Sequence, residues 1–181
     1  MSHGPSAPAQ GHGQAQGHDE PYAPVFTAGS ARSTELADLI TRYPDKRAAL
    51  LPALWMVQQD RGWISEPAMI EVGDQLGCTA AYVKGVVTFY TMYHQHPVGK
   101  HFIQVCTTSP CLCAGADDVV KAFLKHTGCK ELGITSPDGK YTVIEVECLG
   151  ACGFATPVQI NEDYVENVTA AKVPSILAEL E

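Results

Sequence analysis

No C-x-x-C occurs anywhere in the chain, although it holds seven cysteines. That absence argues against a thioredoxin-type dithiol, and against structural zinc held on tight knuckles. There is no G-x-G-x-x-G and no phosphate-binding loop, so no nucleotide site is visible. No arrangement of Ser, His and Asp suggests hydrolysis. Basic residues are few. Lys and Arg number 12 against 20 Asp and Glu, for a net charge of −8 and no basic run. Such a chain is a poor candidate for binding nucleic acid or an anionic lipid surface. The longest apolar run, Ala48 to Val57, is short and contains Pro52, so nothing here predicts a membrane span. The start of the chain lacks the basic and apolar regions of a signal peptide. These absences predict a cytoplasmic protein. In that compartment cysteines serve as metal ligands, redox groups or core residues rather than as disulfides.

What is present begins with a hydrophobic fraction of 45%, enough for a buried core. Residues 1–33 are Gly, Pro, Gln, Ser and Ala with almost no large aliphatics, and are read as a disordered, solvated tail. His3, His12 and His18 lie there at spacings too irregular for a preferred metal site. Residues 34–98 read as a helical unit. Leu36, Leu39, Ile40 and Tyr43 make the stripe of one amphipathic helix. A second helix covers 45–61 with a kink at Pro52 and an end at Gly62. Ser65 caps a third, which Gly77 stops, and Thr79 caps a fourth through Val87. Cys78 is read as a small buried hydrophobe. The apolar stretch 86–93 is read as packing against the following domain, with a partner's docking surface as the alternative. His94 and His96 are read as solvent-facing turn residues rather than ligands.

At residue 99 the pattern changes to mixed α/β. Phe102 to Val105 and Tyr141 to Val146 are strands, separated by a helix over 115–127 and a loop over 129–140. Two short strands, 157–160 and 164–168, form a hairpin, and a helix over 170–180 closes the chain. A strand–helix–strand crossover sets the first two strands parallel. The order strand, helix, three strands, helix is a thioredoxin-like layout for residues 99–181.

Each of the first two strands leads into a cysteine pair. Cys106 and Cys111 form C-x4-C; after a gap of 36 residues, Cys148 and Cys152 form C-x3-C. Two irons of a 2Fe–2S cluster need four thiolates, as two pairs. Gly115, Gly150 and Gly153 beside them predict backbone N–H groups close to sulfur. Zinc remains the main alternative from spacing alone. A Rieske centre is disfavoured because neither loop holds a histidine. Cys113 is read as pointing into helix packing rather than competing as a ligand, and Cys129 as a partly exposed spectator thiol.

Several stretches are recognisable together: Tyr43, Pro44, Arg47 and Pro52; Gln58, Gly62, Trp63 and Ser65; Val87, Phe89 and Tyr90. With Cys106, Cys111 and Gly115, and with Val146, Glu147, Cys148, Gly150, Cys152 and Pro157, they closely resemble the E-subunit family of NADH-quinone oxidoreductase. The resemblance covers residues 34–181. It implies a helical N-terminal unit followed by a thioredoxin-like ferredoxin domain, with one 2Fe–2S cluster on Cys106, Cys111, Cys148 and Cys152. It implies electron transfer within the peripheral arm of respiratory complex I, beside a partner subunit that holds NADH and FMN. It also implies a place on the cytoplasmic face of the inner membrane, reached through that complex. The same module is expected in soluble NAD-linked formate dehydrogenases and hydrogenases. The chain departs from the family pattern at Cys113 and Ala114.

Overall fold

The computed structural model describes residues 22–180. His3, His12, His18 and the first 21 residues of the expected tail lie outside the described residues. Two compact units divide the chain between Pro97 and Val98.

The first unit is helical, and local chemistry sets most of its boundaries. Helix α1 (Ala31–Ile40) starts where the Ser30 side chain accepts from the Ser33 amide. A 3-10 turn over Lys46–Ala49 leads into α2 (Leu50–Arg61). Pro52 falls in the first turn of α2, where its missing N–H has no helical partner to lose. No break falls at Pro52 itself: the step from 3-10 turn to α-helix lies at Leu50, two residues ahead of it. Gly62 ends α2 at φ 78°, in the left-handed region that glycine enters without penalty. Ser65 caps α3 (Glu66–Leu76) by accepting from the Ala68 amide, and Thr79 caps α4 (Ala80–Phe89) by accepting from that of Tyr82.

Leu54, Val57, Ile64, Val72, Leu76 and Val83 fill the core of this unit and are fully buried. Cys78 packs against that core, half-buried. Residues 22–33 do not behave as the solvated tail their composition predicts. Val25 and Phe26 are buried in the core. The Glu71 carboxylate holds them there, accepting from the amides of Phe26 at 2.7 Å and Val25 at 3.1 Å and from the Tyr22 hydroxyl. Arg61 lies over the Tyr22 ring and donates to the Ala23 carbonyl. Burial first, then the bond to Glu71, pushes the Tyr22 phenol above its ordinary pKa.

The stretch 86–93 divides. Val87 and Tyr93 belong to the helical core, while Phe89, Tyr90 and Met92 are exposed. Gln58 is buried and joins the turn after α4 to α2. Its Nε2 donates to the Met92 carbonyl at 2.9 Å, and its Oε1 accepts from the His94 amide at 2.7 Å. His94 is thereby half-buried rather than solvent-facing, and burial holds its imidazole pKa below the ordinary value; His96 is exposed.

The second unit is built on one sheet whose strands lie in the order Tyr141–Val146, His101–Cys106, Val158–Ile160, Asp163–Val165. Strands β1 (His101–Cys106) and β2 (Tyr141–Val146) pair in parallel, with Cys106 opposite Val146. The long crossover between them carries α5 (Ser109–Cys113) and α6 (Ala116–Thr127). Strands β3 (Val158–Ile160) and β4 (Asp163–Val165) form an antiparallel hairpin added to the other edge of β1. A 3-10 turn at Ala170–Lys172 precedes α7 (Val173–Ala178), shorter than its periodicity predicts. Val119, Val120 and Phe123 of α6 share a core with Ile103, Val105, Val143, Val158 and Val173. As an inner strand, β1 buries apolar residues on both faces, Phe102 on one and Ile103 and Val105 on the other.

Two substitutions test these contacts. Phe26→Ala should destabilise the helical unit by about 3 kcal/mol, the range for emptying a buried aromatic site, and lower the midpoint of its urea transition. An unchanged midpoint would show that residues 22–33 act as a tail after all. A Cβ on Gly99 would stand 2.6 Å from the backbone of Tyr141. Gly99→Ala should therefore cost about 2 kcal/mol, the usual scale of overpacking; a neutral result in thermal unfolding would mean that this backbone yields freely.

Candidate metal centre

Parallel pairing brings the ends of β1 and β2 side by side, so the two cysteine segments begin next to one another. The Thr107 amide donates to the Val146 carbonyl at 3.0 Å and extends that pairing one residue past β1. From there the chain turns into α5. Thr108 is its N-cap residue and Pro110 lies in its first turn. This short helix lies in what the sequence predicts to be an irregular loop. It puts Cys111 on its buried side and Cys113 on its exposed side. Cys111 and Cys106 form a small separate core with Ala116, against which Leu149 and Ala155 pack.

The sulfurs of Cys106 and Cys111 are 3.2 Å apart. Two thiolates on one tetrahedral metal at about 2.3 Å each stand roughly 3.8 Å apart, so this pair suits one metal after a small opening. Cys148 and Cys152 are exposed. They lie near enough for their charges to raise the Cys111 pKa, after the larger effects of burial and the bond with Cys106; together these push it up to about 11. The four sulfurs do not all converge. Among the described residues no three metal-ligating side chains form a group able to hold an ion.

Hydrogen-bond donors gather on the sulfurs. Burial opposes ionisation of Cys106, but the Thr108 hydroxyl and amide, the Cys111 thiol and the Leu149 amide outweigh it and lower its pKa. The Thr108 hydroxyl lies 3.2 Å from that sulfur and makes no cap bond to α5. The Gly150 amide reaches the Cys148 sulfur at 3.3 Å. Gly150 and Gly115 adopt φ of 74° and 93°, a conformation in which side chains are strained. No atom lies within 4 Å of a Cβ built on Gly115, Gly150 or Gly153. Backbone conformation, not close approach of sulfur, accounts for the first two, and nothing in the geometry requires glycine at 153. Four thiols, no histidine in either segment and amides aimed at sulfur fit an anionic iron–sulfur group better than a tight zinc knuckle.

The sequence profile of the thioredoxin-like [2Fe-2S] ferredoxin family matches residues 36–181. The chain belongs to that family. As a thioredoxin-like [2Fe-2S] ferredoxin it is 44% identical over 146 residues to the E subunit of the NADH-quinone oxidoreductase of Rickettsia bellii, covering 79% of this chain and 87% of that one. It is 39% identical over 145 residues to the mitochondrial NADH dehydrogenase [ubiquinone] flavoprotein 2 of Dictyostelium discoideum, covering 78% of this chain and 58% of that one. Among solved structures, an air-oxidised NAD+-reducing [NiFe]-hydrogenase superposes with a TM-score of 0.63 at 19% identity. That match covers 72% of this chain but only 22% of the hydrogenase chain, and shows a shared fold.

Two thiols depart from their expected settings. Cys113 is exposed, not packed beneath a helix. Cys129 is buried, not a partly exposed spectator, and its sulfur donates to the Tyr141 carbonyl at 3.4 Å. Brief alkylation of the metal-free protein should label Cys113, Cys148 and Cys152 before Cys106, Cys111 and Cys129, as read by peptide mass mapping. Early labelling of Cys129 would contradict its place in the core.

Proposed function

We propose that this chain is the 2Fe–2S electron-transfer subunit of an NADH-quinone oxidoreductase, the peripheral-arm subunit of respiratory complex I. The observation that carries this reading is close relatedness, at 44% identity over most of the chain, to proteins named as the E subunit of that enzyme. The likeness to the hydrogenase is one of fold, and adds no weight to a hydrogenase module.

Cys106 and Cys111 would hold one iron and Cys148 and Cys152 the other. Supporting this are the short sulfur separation in the first pair, its burial, and the exposure of the second. The cluster, when bound, takes up and gives back one electron at a time. The chain's own residues set how readily that happens. Added negative charge on a partly buried centre is unfavourable unless nearby dipoles offset it. The amides of Thr108, Leu149 and Gly150 and the Thr108 hydroxyl point their positive ends at sulfur and provide that offset.

NADH and FMN belong to a partner subunit in this reading, consistent with a sequence that carries no nucleotide-binding motif. Leu112 and Phe154, each within two residues of a cysteine of the site, are about half exposed, as suits a surface covered by another protein. Among the described residues no helix is long and apolar enough to cross a membrane. In this reading the chain reaches the cytoplasmic face of the inner membrane through the complex.

Cys148→Ala should lose most of its bound iron and sulfide, and its reduced-state paramagnetic resonance signal, after anaerobic purification. Cys129→Ala should keep both and lose only stability. Equal cluster content in the two variants would sink the ligand assignment. A zinc-loaded wild-type protein from iron-replete cells would sink the function.

A further inference from the structure

Tyr164 sits on β4, the edge strand of the hairpin, with half its surface exposed. Its hydroxyl donates to the Leu149 carbonyl at 3.2 Å, linking the hairpin to the segment between Cys148 and Cys152. That carbonyl belongs to the same peptide group as the Gly150 N–H, which donates to the Cys148 sulfur at 3.3 Å. Two hydrogen bonds thus run in line from a phenol, through one peptide group, to a sulfur. A bond accepted at the oxygen of a peptide polarises it and strengthens the bond its N–H donates. It also fixes the plane of the peptide.

We propose that Tyr164 is a positioning residue for the cluster, holding the Leu149–Gly150 peptide so that its N–H faces the Cys148 sulfur and favours the reduced state. The inference rests on Cys148 being an iron ligand. One exposed hydrogen bond adds little to folding. Its effect therefore falls on the reduction equilibrium, because an amide aimed at sulfur stabilises the charge that reduction adds.

The test is a redox titration of the full-length, cluster-loaded protein followed by electron paramagnetic resonance. Tyr164→Phe should disfavour the reduced form about tenfold, which lowers the midpoint by about 59 mV for a one-electron couple. Iron content and the thermal unfolding of the metal-free chain should not change. Placing 3-fluorotyrosine at position 164, a stronger donor of the same shape, should move the midpoint upward and keeps the test decisive if the phenylalanine variant loses its cluster. An equilibrium within about twofold of wild type, or an equal shift in the control Tyr43→Phe, overturns the inference. If Cys148→Ala is cluster-poor, such a result overturns this inference alone. A fully loaded Cys148→Ala overturns the ligand assignment and this inference with it.

Discussion

Register between two parallel strands is the constraint on which the rest of the site depends. Cys106 is the last residue of β1, opposite Val146, the last residue of β2. A slip of one residue would turn every β1 side chain to the other face of the sheet. Cys106 would then leave the small core it shares with Cys111 and Ala116. Apolar side chains on both faces of β1 oppose that slip, so the burial that stabilises the sheet also aims the first thiol. The crossover helix α6 contributes in the same way. Its buried face of Val119, Val120 and Phe123 holds the end of the first cysteine segment against the sheet.

The two cysteine pairs stand differently towards the fold. Cys106 and Cys111 are set by regular elements, a strand end and a helical turn, and are buried with their sulfurs in contact. Cys148 and Cys152 lie beyond the end of β2 and are exposed, Cys148 in an irregular stretch and Cys152 at the start of a 3-10 turn over Cys152–Phe154. In the proposed assignment, one pair is built in by folding and the other closes on its metal. This accounts for the absence of any preformed group of three ligands among the described residues. It also matches the coupling of metal binding to local ordering that is usual where thiolates are carried on loops.

Much of this was legible from residue order because the controlling chemistry is local. Ser65, Thr79, Gly62 and Gly77 mark helix ends through bonds made within a few residues. Strand β2 runs to the predicted ends, Tyr141 and Val146, with the Pro137-Asp138-Gly139 turn just ahead of its start. The segment 22–33 was misread because Val25 and Phe26 sit among Pro, Ala and Gly, while the carboxylate that anchors them, Glu71, lies 45 residues beyond Phe26. Composition has no access to a partner that far away. Cys129 fails for the same reason: its neighbours Gly128 and Lys130 read as a loop, and its burial is decided by packing against β2. Helix α5 is a different case. Thr108 followed by Pro110 is a helix-start signature present in the sequence, and reading the segment only as a ligand loop hid it.

Thr108 is the N-cap residue of α5. At an N-cap, a threonine hydroxyl ordinarily accepts a bond from an amide of the first turn. Here it makes no such bond and lies against the Cys106 sulfur instead. Helix α5 therefore starts without that cap, while the sulfur gains a donor it would otherwise lack. The hydroxyl is placed for the sulfur contact and not for a cap bond. The energy is small, since cap bonds contribute about 1 kcal/mol, but its direction is informative. The chain forgoes a cap bond where it meets the first cysteine pair, in keeping with the role proposed for Cys106 as a ligand thiolate.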